Sequence, residues 1–306
     1  MRAAFFNFYC NRMFWKGRVT LLSQINAAWS KHDLALASRM PAPELTENGT
    51  SNPYYRVDIA NMKDAEDIAQ LLNNHFEPAN SRAKAAVTAE WIQSTFIVKQ
   101  AVWVVARDPL GKVRGCVTSF QTAAPYPNSL AGCSSNATMW SMIDWFCVEP
   151  LWRDLGAGSK MLEVLDFVTY NVGRKAHIFI KEGLPLLSQI PFYSTFLRCR
   201  RAGNSDINKM REGTGLGVYM YHTVEKESGL HLVRIEGLRG PDIDKQSIKE
   251  WEDALDRELP PCWVFVSGAD HIDESRGWKL DSLVSAYAFR WLPGKWFGSV
   301  PNVDII

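Results

Sequence analysis

Between residues 54 and 224 the apolar positions change period in a regular order. Tyr54 to Ala60 alternates apolar and polar residues, the period of a strand. Lys63 to Phe76 places Ile68, Leu71 and Leu72 on one helical face, with Asp64, Glu66 and Asp67 in its first turns. A second helix is predicted over Ser81 to Thr95. Ala101 to Arg107 and Val113 to Thr122 read as antiparallel strands joined by the turn Asp108-Pro109-Leu110-Gly111. A Pro-, Ser-, Asn- and Gly-rich loop covers 123–138. Met139 to Val148 is an apolar strand ended by Glu149-Pro150, and a helix from about Gly158 to Val172 carries Met161, Leu162, Leu165 and Val168 inward. Ala176 to Ile180 reads as a strand, Pro185 to Arg198 as a helix and Gly217 to Val224 as a strand. The order β-α-α-β-β-β-α-β-α-β predicts a mixed α/β domain.

Outside this stretch the pattern is thinner. Residues 19–38 read as one helix, with Leu22, Ile25 and Trp29 sharing a face, and the breaker-rich run from Pro41 to Pro53 reads as a linker. Lys245 to Leu259 reads as a helix and Trp263 to Ser267 as a strand. Residues 280–297 are too rich in Trp and Gly to assign. No repeat is visible in the sequence.

Composition narrows the class. The chain has 306 residues, 46% hydrophobic and 22% charged, which suits a folded globular protein. A formal net charge of +1 predicts no overall attraction to nucleic acid. The 6 cysteines include no Cys-x-x-Cys pair beside paired histidines, so no metal site is expected, and they read as reduced thiols of a cytoplasmic protein. No apolar run approaches the roughly 20 residues of a membrane span. Before Asp33 the chain has no acid but carries Arg2, Arg12, Lys16, Arg18 and Lys31. That leader reads either as organelle targeting or, given Phe5, Phe6, Phe8, Tyr9, Phe14 and Trp15, as an extension packed on the domain.

The candidate chemistry lies where Arg153-Asp154-Leu155-Gly156-Ala157-Gly158-Ser159 joins a strand to a helix. Glycines allow close backbone approach and positive φ. The first amides of the helix are unbonded donors, and its dipole favours an anion. Arg153 adds a charge. The loop lacks the Gly-Lys-Ser/Thr of a Walker motif, since Ser159-Lys160 follows Gly158, and it lacks the third glycine of a dinucleotide fingerprint.

Arg-x-x-Gly-x-Gly after a strand ending in Val-x-Pro resembles the acyl-CoA motif of the GNAT N-acetyltransferase superfamily, and Ile143 to Arg153 looks like that motif throughout. The resemblance implies an α/β fold with a mixed, mostly antiparallel central sheet flanked by helices. It places an acyltransferase domain at 54–224, an N-terminal extension and linker at 1–53, and a C-terminal α/β extension at 225–306. It implies acetyl-CoA, or another acyl-CoA, as cosubstrate and an amine-bearing small molecule or protein as acceptor. Phe146, Cys147 and Val148 would bind the pantetheine arm. The amides of Asp154, Leu155, Gly156, Ala157, Gly158 and Ser159, with Arg153, would hold the pyrophosphate.

Acyl transfer to an amine needs a base, oxyanion donors and an acid for the leaving thiolate. The resemblance offers Asp144 as base, against a purely orienting role. It offers Tyr193 as acid, through the Phe192-Tyr193 that opens a helix in relatives. Cys147 reads as a small buried hydrophobe rather than a nucleophile, and His75 and His177 read as structural. The glycine cluster 212–217 leads into a strand and reads as a flexible loop. Arg198, Arg200 and Arg201 read as a solvated basic face, with a cofactor phosphate as alternative.

Asp144 to Val148, the following helix and Gly183-Leu184-Pro185 are also similar in layout to N-myristoyltransferases. That likeness implies a longer acyl-CoA, an oxyanion hole from the Trp145 and Phe146 amides, and a base at the carboxylate of Ile306. Against it stand a different phosphate loop and too few residues after 224 for a second half. A non-catalytic module that binds CoA or a protein through the Trp-rich C-terminal segment is the third reading.

Overall fold

Buried Tyr55 and Val57 face one side of the first full strand, and this two-residue period recurs across one continuous sheet. The computed structural model describes residues 51–76, 82–98, 100–122, 139–182, 193–203, 218–235, 245–267 and 274–289. Its strands are β1 (Ser51–Asn52), β2 (Tyr55–Ile59), β3 (Ala83–Ala85), β4 (Val102–Arg107), β5 (Val113–Thr122), β6 (Met139–Val148), β7 (Arg174–Glu182), β8 (Tyr193–Ala202), β9 (Val218–Glu225), β10 (His231–Ile235), β11 (Cys262–Ser267) and β12 (Lys279–Phe289). Its helices are α1 (Ala65–His75), α2 (Ala89–Val98), α3 (Ala157–Asn171) and α4 (Lys245–Glu258). The mixed α/β architecture is the expected one.

The 12 strands lie in the order β1-β2-β4-β5-β6-β7-β12-β8-β11-β10-β9-β3. Read outward from the centre, β12-β7-β6-β5-β4 mirrors β8-β11-β10-β9-β3. Each half has one parallel pair, β6 with β7 and β10 with β11, and every other pair is antiparallel. The parallel pairs need crossovers, supplied by α3 and α4. Two strands are exchanged between the halves. β8 follows β7 in the chain but pairs with β11, and β12 follows β11 but pairs with β7.

A second half therefore exists, although the sequence was expected to be too short for one. The expected boundary at 224 falls within β9, and β12 lies at the centre of the sheet. Two further expectations change. Residues 193–198 form strand rather than helix, because β8 is bonded on both sides, by β11 and β12. The helix predicted from Ser81 begins at Ala89, because Ala83–Ala85 pairs with β9. The leader, the 19–38 helix, the 123–138 loop and the 212–217 glycines lie outside the described residues.

Helices α1 and α2 pack on one face over Trp103, Val105, Cys116, Trp145 and Cys147. Helix α3 packs on the other over Val57, Val104, Val117, Ile143 and Tyr287, and α4 covers Val264, Val266 and Ala202 on that same face. Among the described residues no helix is long and apolar enough to cross a membrane.

Candidate functional site

The site is built on a defect in β6. Its register with β5 runs from Thr122↔Trp140 to Thr118↔Asp144, then slips so that Cys116 faces Cys147. One extra residue on β6 makes a bulge, which bends the strand. Trp145 at the bulge has a φ of 49°, left-handed backbone that a bulky side chain rarely adopts. Its amide donates to Asp144 Oδ1 at 2.7 Å, and its carbonyl accepts from Cys116 Sγ at 3.5 Å. Its ring lies 4.9 Å from Phe76 and 5.5 Å from Trp91, centroid to centroid. Because of the extra residue, Trp145 and Cys147 face α1 and α2, whereas Phe146 and Val148 face α3.

The register of β6 with β7 stops at Ile143↔Phe179, while β7 continues against β12 to Glu182. The parallel strands thus separate beyond Asp144, and Phe146, Cys147 and Val148 lie at the separated end.

A 3-10 helix, Pro150–Leu155, leads from there to α3. Arg153 Nε donates to the Val148 carbonyl at 3.0 Å, which ties the turn to the strand end. Gly156 is left-handed, with φ 85°. Helix α3 begins at Ala157 with no side-chain cap and no acid in its first turn. The Lys160 amide bonds to the Gly156 carbonyl at 3.2 Å. The amides of Ala157, Gly158 and Ser159 come before the first intrahelical bond. Arg153, Asp154, Leu155, Gly156 and Ser159 are exposed. The acids on the approach to α3 are the exposed Asp154 within the turn and Glu149 ahead of it; Arg114 holds Glu149 at 2.8 Å, bonds Asp108 at 2.9 Å and lies over Trp152. Those bonds raise the Arg114 pKa, the Glu149 one most, against a smaller opposing effect of burial. The geometry is that of a strand end opening onto a helix entrance set to receive an anion.

The two glycines do different work. Gly156 supplies the positive φ. A Cβ on Gly158 would lie 2.9 Å from Phe146 Cζ, so this glycine lets α3 press against the separated end of β6.

The other expected residues are placed as follows. Asp144 is half-buried beside the bulge. Tyr193 opens strand β8, opposite Ala286 of β12, so the helix that suggested its role is not there. Cys147 is buried, facing Cys116, whose thiol is pushed up by burial. Trp145 donates its amide to Asp144, not toward an oxyanion. Arg200 is buried under α4, 3.0 Å from Asp256 and over the Trp278 ring, which removes it from any solvated basic face. His177 lies 3.1 Å from Asp166, joining β7 to α3. Among the described residues no group of His, Cys, Asp and Glu is arranged to hold a metal.

Sequence reasoning missed the aromatic wall before the bulge. Trp91 meets Trp145, and the His222 ring of β9 lies tilted by 39° against Trp91 with centroids 4.1 Å apart, bringing the second half to the same place. The pairing of β3 with β9 creates that contact, and no local pattern announces it.

No family profile matches the chain, and no curated protein matches it. Solved structures do. The N-myristoyltransferase of Saccharomyces cerevisiae with bound myristoyl-CoA covers 85% of this chain and 83% of that one, at 8% identity and a TM-score of 0.53. A structure of that enzyme with myristoyl-CoA and inhibitors covers 84% of each chain, at 8% identity and a TM-score of 0.52. A GNAT family acetyltransferase from Brucella melitensis in complex with acetyl-CoA covers 45% of this chain and 79% of that one, at 17% identity and a TM-score of 0.32. The myristoyltransferase matches establish a shared fold that extends through both halves of the sheet.

Proposed function

We propose that the protein is an acyl-CoA-dependent N-acyltransferase whose cosubstrate lies between the separated ends of β6 and β7. The observation that supports this best is the junction at Gly156, where the open end of β6 meets a helix with no side-chain cap and no acid in its first turn. Phe146, Cys147 and Val148 offer backbone to the amide-bearing pantetheine arm. The amides from Asp154 to Ser159, with Arg153, receive the pyrophosphate. The acceptor amine, as its neutral form, attacks the thioester carbonyl. The C–S bond breaks, the CoA thiolate takes a proton, and the products are an amide and CoA.

The Arg-x-x-Gly-x-Gly loop favours acetyl-CoA as donor. A specific observation favours a second reading, transfer of a longer acyl chain: the two-half sheet and its match to the yeast N-myristoyltransferase over most of both chains. Thermal-shift titrations with CoA, acetyl-CoA and acyl-CoAs of increasing length test both, since a ligand that binds the folded state raises apparent stability. Stabilisation by CoA and acetyl-CoA alike supports the first reading, and stabilisation that grows with chain length supports the second. No shift with any acyl-CoA at millimolar concentration refutes both.

A further inference from the structure

We infer that Asp144 is a positioning residue: its carboxylate holds Trp145 in the left-handed backbone that makes the bulge, and the bulge sets which side chains of β6 reach the cofactor. The inference rests on reading the separated end of β6 as the acyl-CoA site, and it refines that reading.

A bulky aromatic with φ 49° persists only where its surroundings over-determine it. Three contacts do so here. The Trp145 amide is drawn to Asp144 Oδ1 at 2.7 Å, a short charge-assisted bond. Its carbonyl is met by Cys116 Sγ. Its ring is clamped by Phe76 and Trp91. Of these three, the first engages the amide and so acts directly on the peptide plane at the entrance to the bulge.

The consequence follows from strand geometry. Side chains alternate, so losing the extra residue would turn every later side chain of β6 to the opposite face. Phe146 would leave the space beside Gly158, where an added Cβ would lie 2.9 Å from its Cζ, and the strand end would lose its fit to the entrance of α3. Cys147 would leave the α1–α2 core for the α3 side. The carboxylate therefore acts through Trp145 on the cofactor site.

The test separates an oxygen that accepts a hydrogen bond from one that accepts a proton. In the full chain, Asp144→Asn keeps the acceptor and loses the base, whereas Asp144→Ala loses both. Binding of CoA is measured by calorimetry, and protection of the Trp145 amide by hydrogen exchange. The expected result is that Asp144→Ala weakens CoA binding tenfold or more and lowers Trp145 protection at least tenfold. Asp144→Asn stays within about threefold on both. In a Trp145→Gly background, Asp144→Ala costs less than threefold, because glycine takes positive φ unaided. Asp144→Asn and Asp144→Ala binding CoA like the wild type while both slow acyl transfer a hundredfold would overturn the inference in favour of a base. If Asp144→Ala does not fold, lost Trp145 protection in Asp144→Asn overturns it equally. If the wild type binds no CoA, the acyltransferase reading fails, and the amide-protection comparison still decides the role of Asp144.

Discussion

Replacing each glycine of the loop by alanine separates a backbone requirement from a packing one. At Gly156 an added Cβ would meet nothing closer than Tyr55 Oη at 3.6 Å, an ordinary contact, so the cost is all conformational. Holding an L-residue at φ 85° costs about 1–2 kcal/mol. At roughly 2–4 °C per kcal/mol for a chain of this size, Gly156→Ala should lower Tm by about 2–8 °C. At Gly158 the backbone is ordinary helix, and alanine gains about 0.5–1 kcal/mol of helix propensity. Against that, the new Cβ would lie 2.9 Å from Phe146 Cζ, where contact distance is about 3.5–4.0 Å, so the ring must move by roughly 0.6–1 Å. The ring tip is the free end of a side chain, so the overpacking cost sits near the low end of about 1–3 kcal/mol. The two terms nearly cancel, and Gly158→Ala should leave Tm within about 3 °C of the wild type. Binding is another matter, because the displaced ring belongs to the strand end proposed to carry pantetheine. A loss of about 1.4 kcal/mol there is a tenfold loss of CoA affinity. Scanning calorimetry and CoA titration on the two variants read both quantities. Gly158→Ala binding CoA within twofold of the wild type would refute the assignment of Phe146 to the cofactor site.

Arg153→Ala removes a bond to the Val148 carbonyl and an exposed cation beside the loop, and should weaken CoA binding roughly tenfold in dilute buffer, with the difference shrinking at high salt. Salt-independent loss would show that Arg153 acts only on the turn. A chain cut to residues 54–224 lacks β10, α4, β11 and β12, and so loses the strand that lies between β7 and β8; it should fail to fold by circular dichroism, and a cooperative melt would contradict the exchanged-strand topology. Burial, the largest cause for each, pushes the Cys199 and Cys262 thiols from 9.0 up to about 11. Both hold their protons more tightly when folded, so the stability they contribute is complete below pH 9 and is lost as pH rises through about 11. The urea midpoint should fall between pH 8 and pH 10.5, and fall less in a Cys199→Ala/Cys262→Ala chain; equal falls would count against those buried thiols. Calorimetric titration should give about one CoA per chain, and two would contradict the assignment to the β6–α3 junction alone.

What the sequence disclosed follows how locally each feature is encoded. The junction of β6, loop and α3 was legible because its causes are adjacent: an apolar run, Glu149-Pro150 to end it, glycines, then helical spacing. The bulge was not, because an extra residue in a strand as apolar as Met142 to Val148 leaves no break in pattern. Strand β8 read as helix through the likeness of Phe192-Tyr193 to the pair that opens a helix in relatives. Its strand state is imposed by β11 and β12, which lie more than 60 residues further along the chain. Strand β12 was not legible because the Trp and Gly that blur residues 280–297, at Trp291, Gly294 and Trp296, follow closely on a strand that ends at Phe289. His222 reached the candidate site through the pairing of β9 with the short β3, a contact that topology alone determines.

The two halves share a topology but not an entrance to their crossover helices, and this difference concentrates the proposed chemistry in one of them. In the first half, α3 is preceded by Arg153, Asp154 and the left-handed Gly156 and carries Gly158 in its first turn, and Glu149 is held by Arg114. In the second half, the residues before α4 read Glu236-Gly237-Leu238-Arg239-Gly240-Pro241-Asp242-Ile243-Asp244. That sequence has two aspartates in its last three positions and no glycine directly before α4, a composition less suited to receiving an anion than the one before α3. This sequence contrast supports placing the proposed cofactor role in the first half, with the second half framing the site. The second half sends β12 to pair with β7 and His222 to the ring of Trp91. On the proposed reading, the duplication of topology yields one binding half and one supporting half, joined by the exchanged strands β8 and β12.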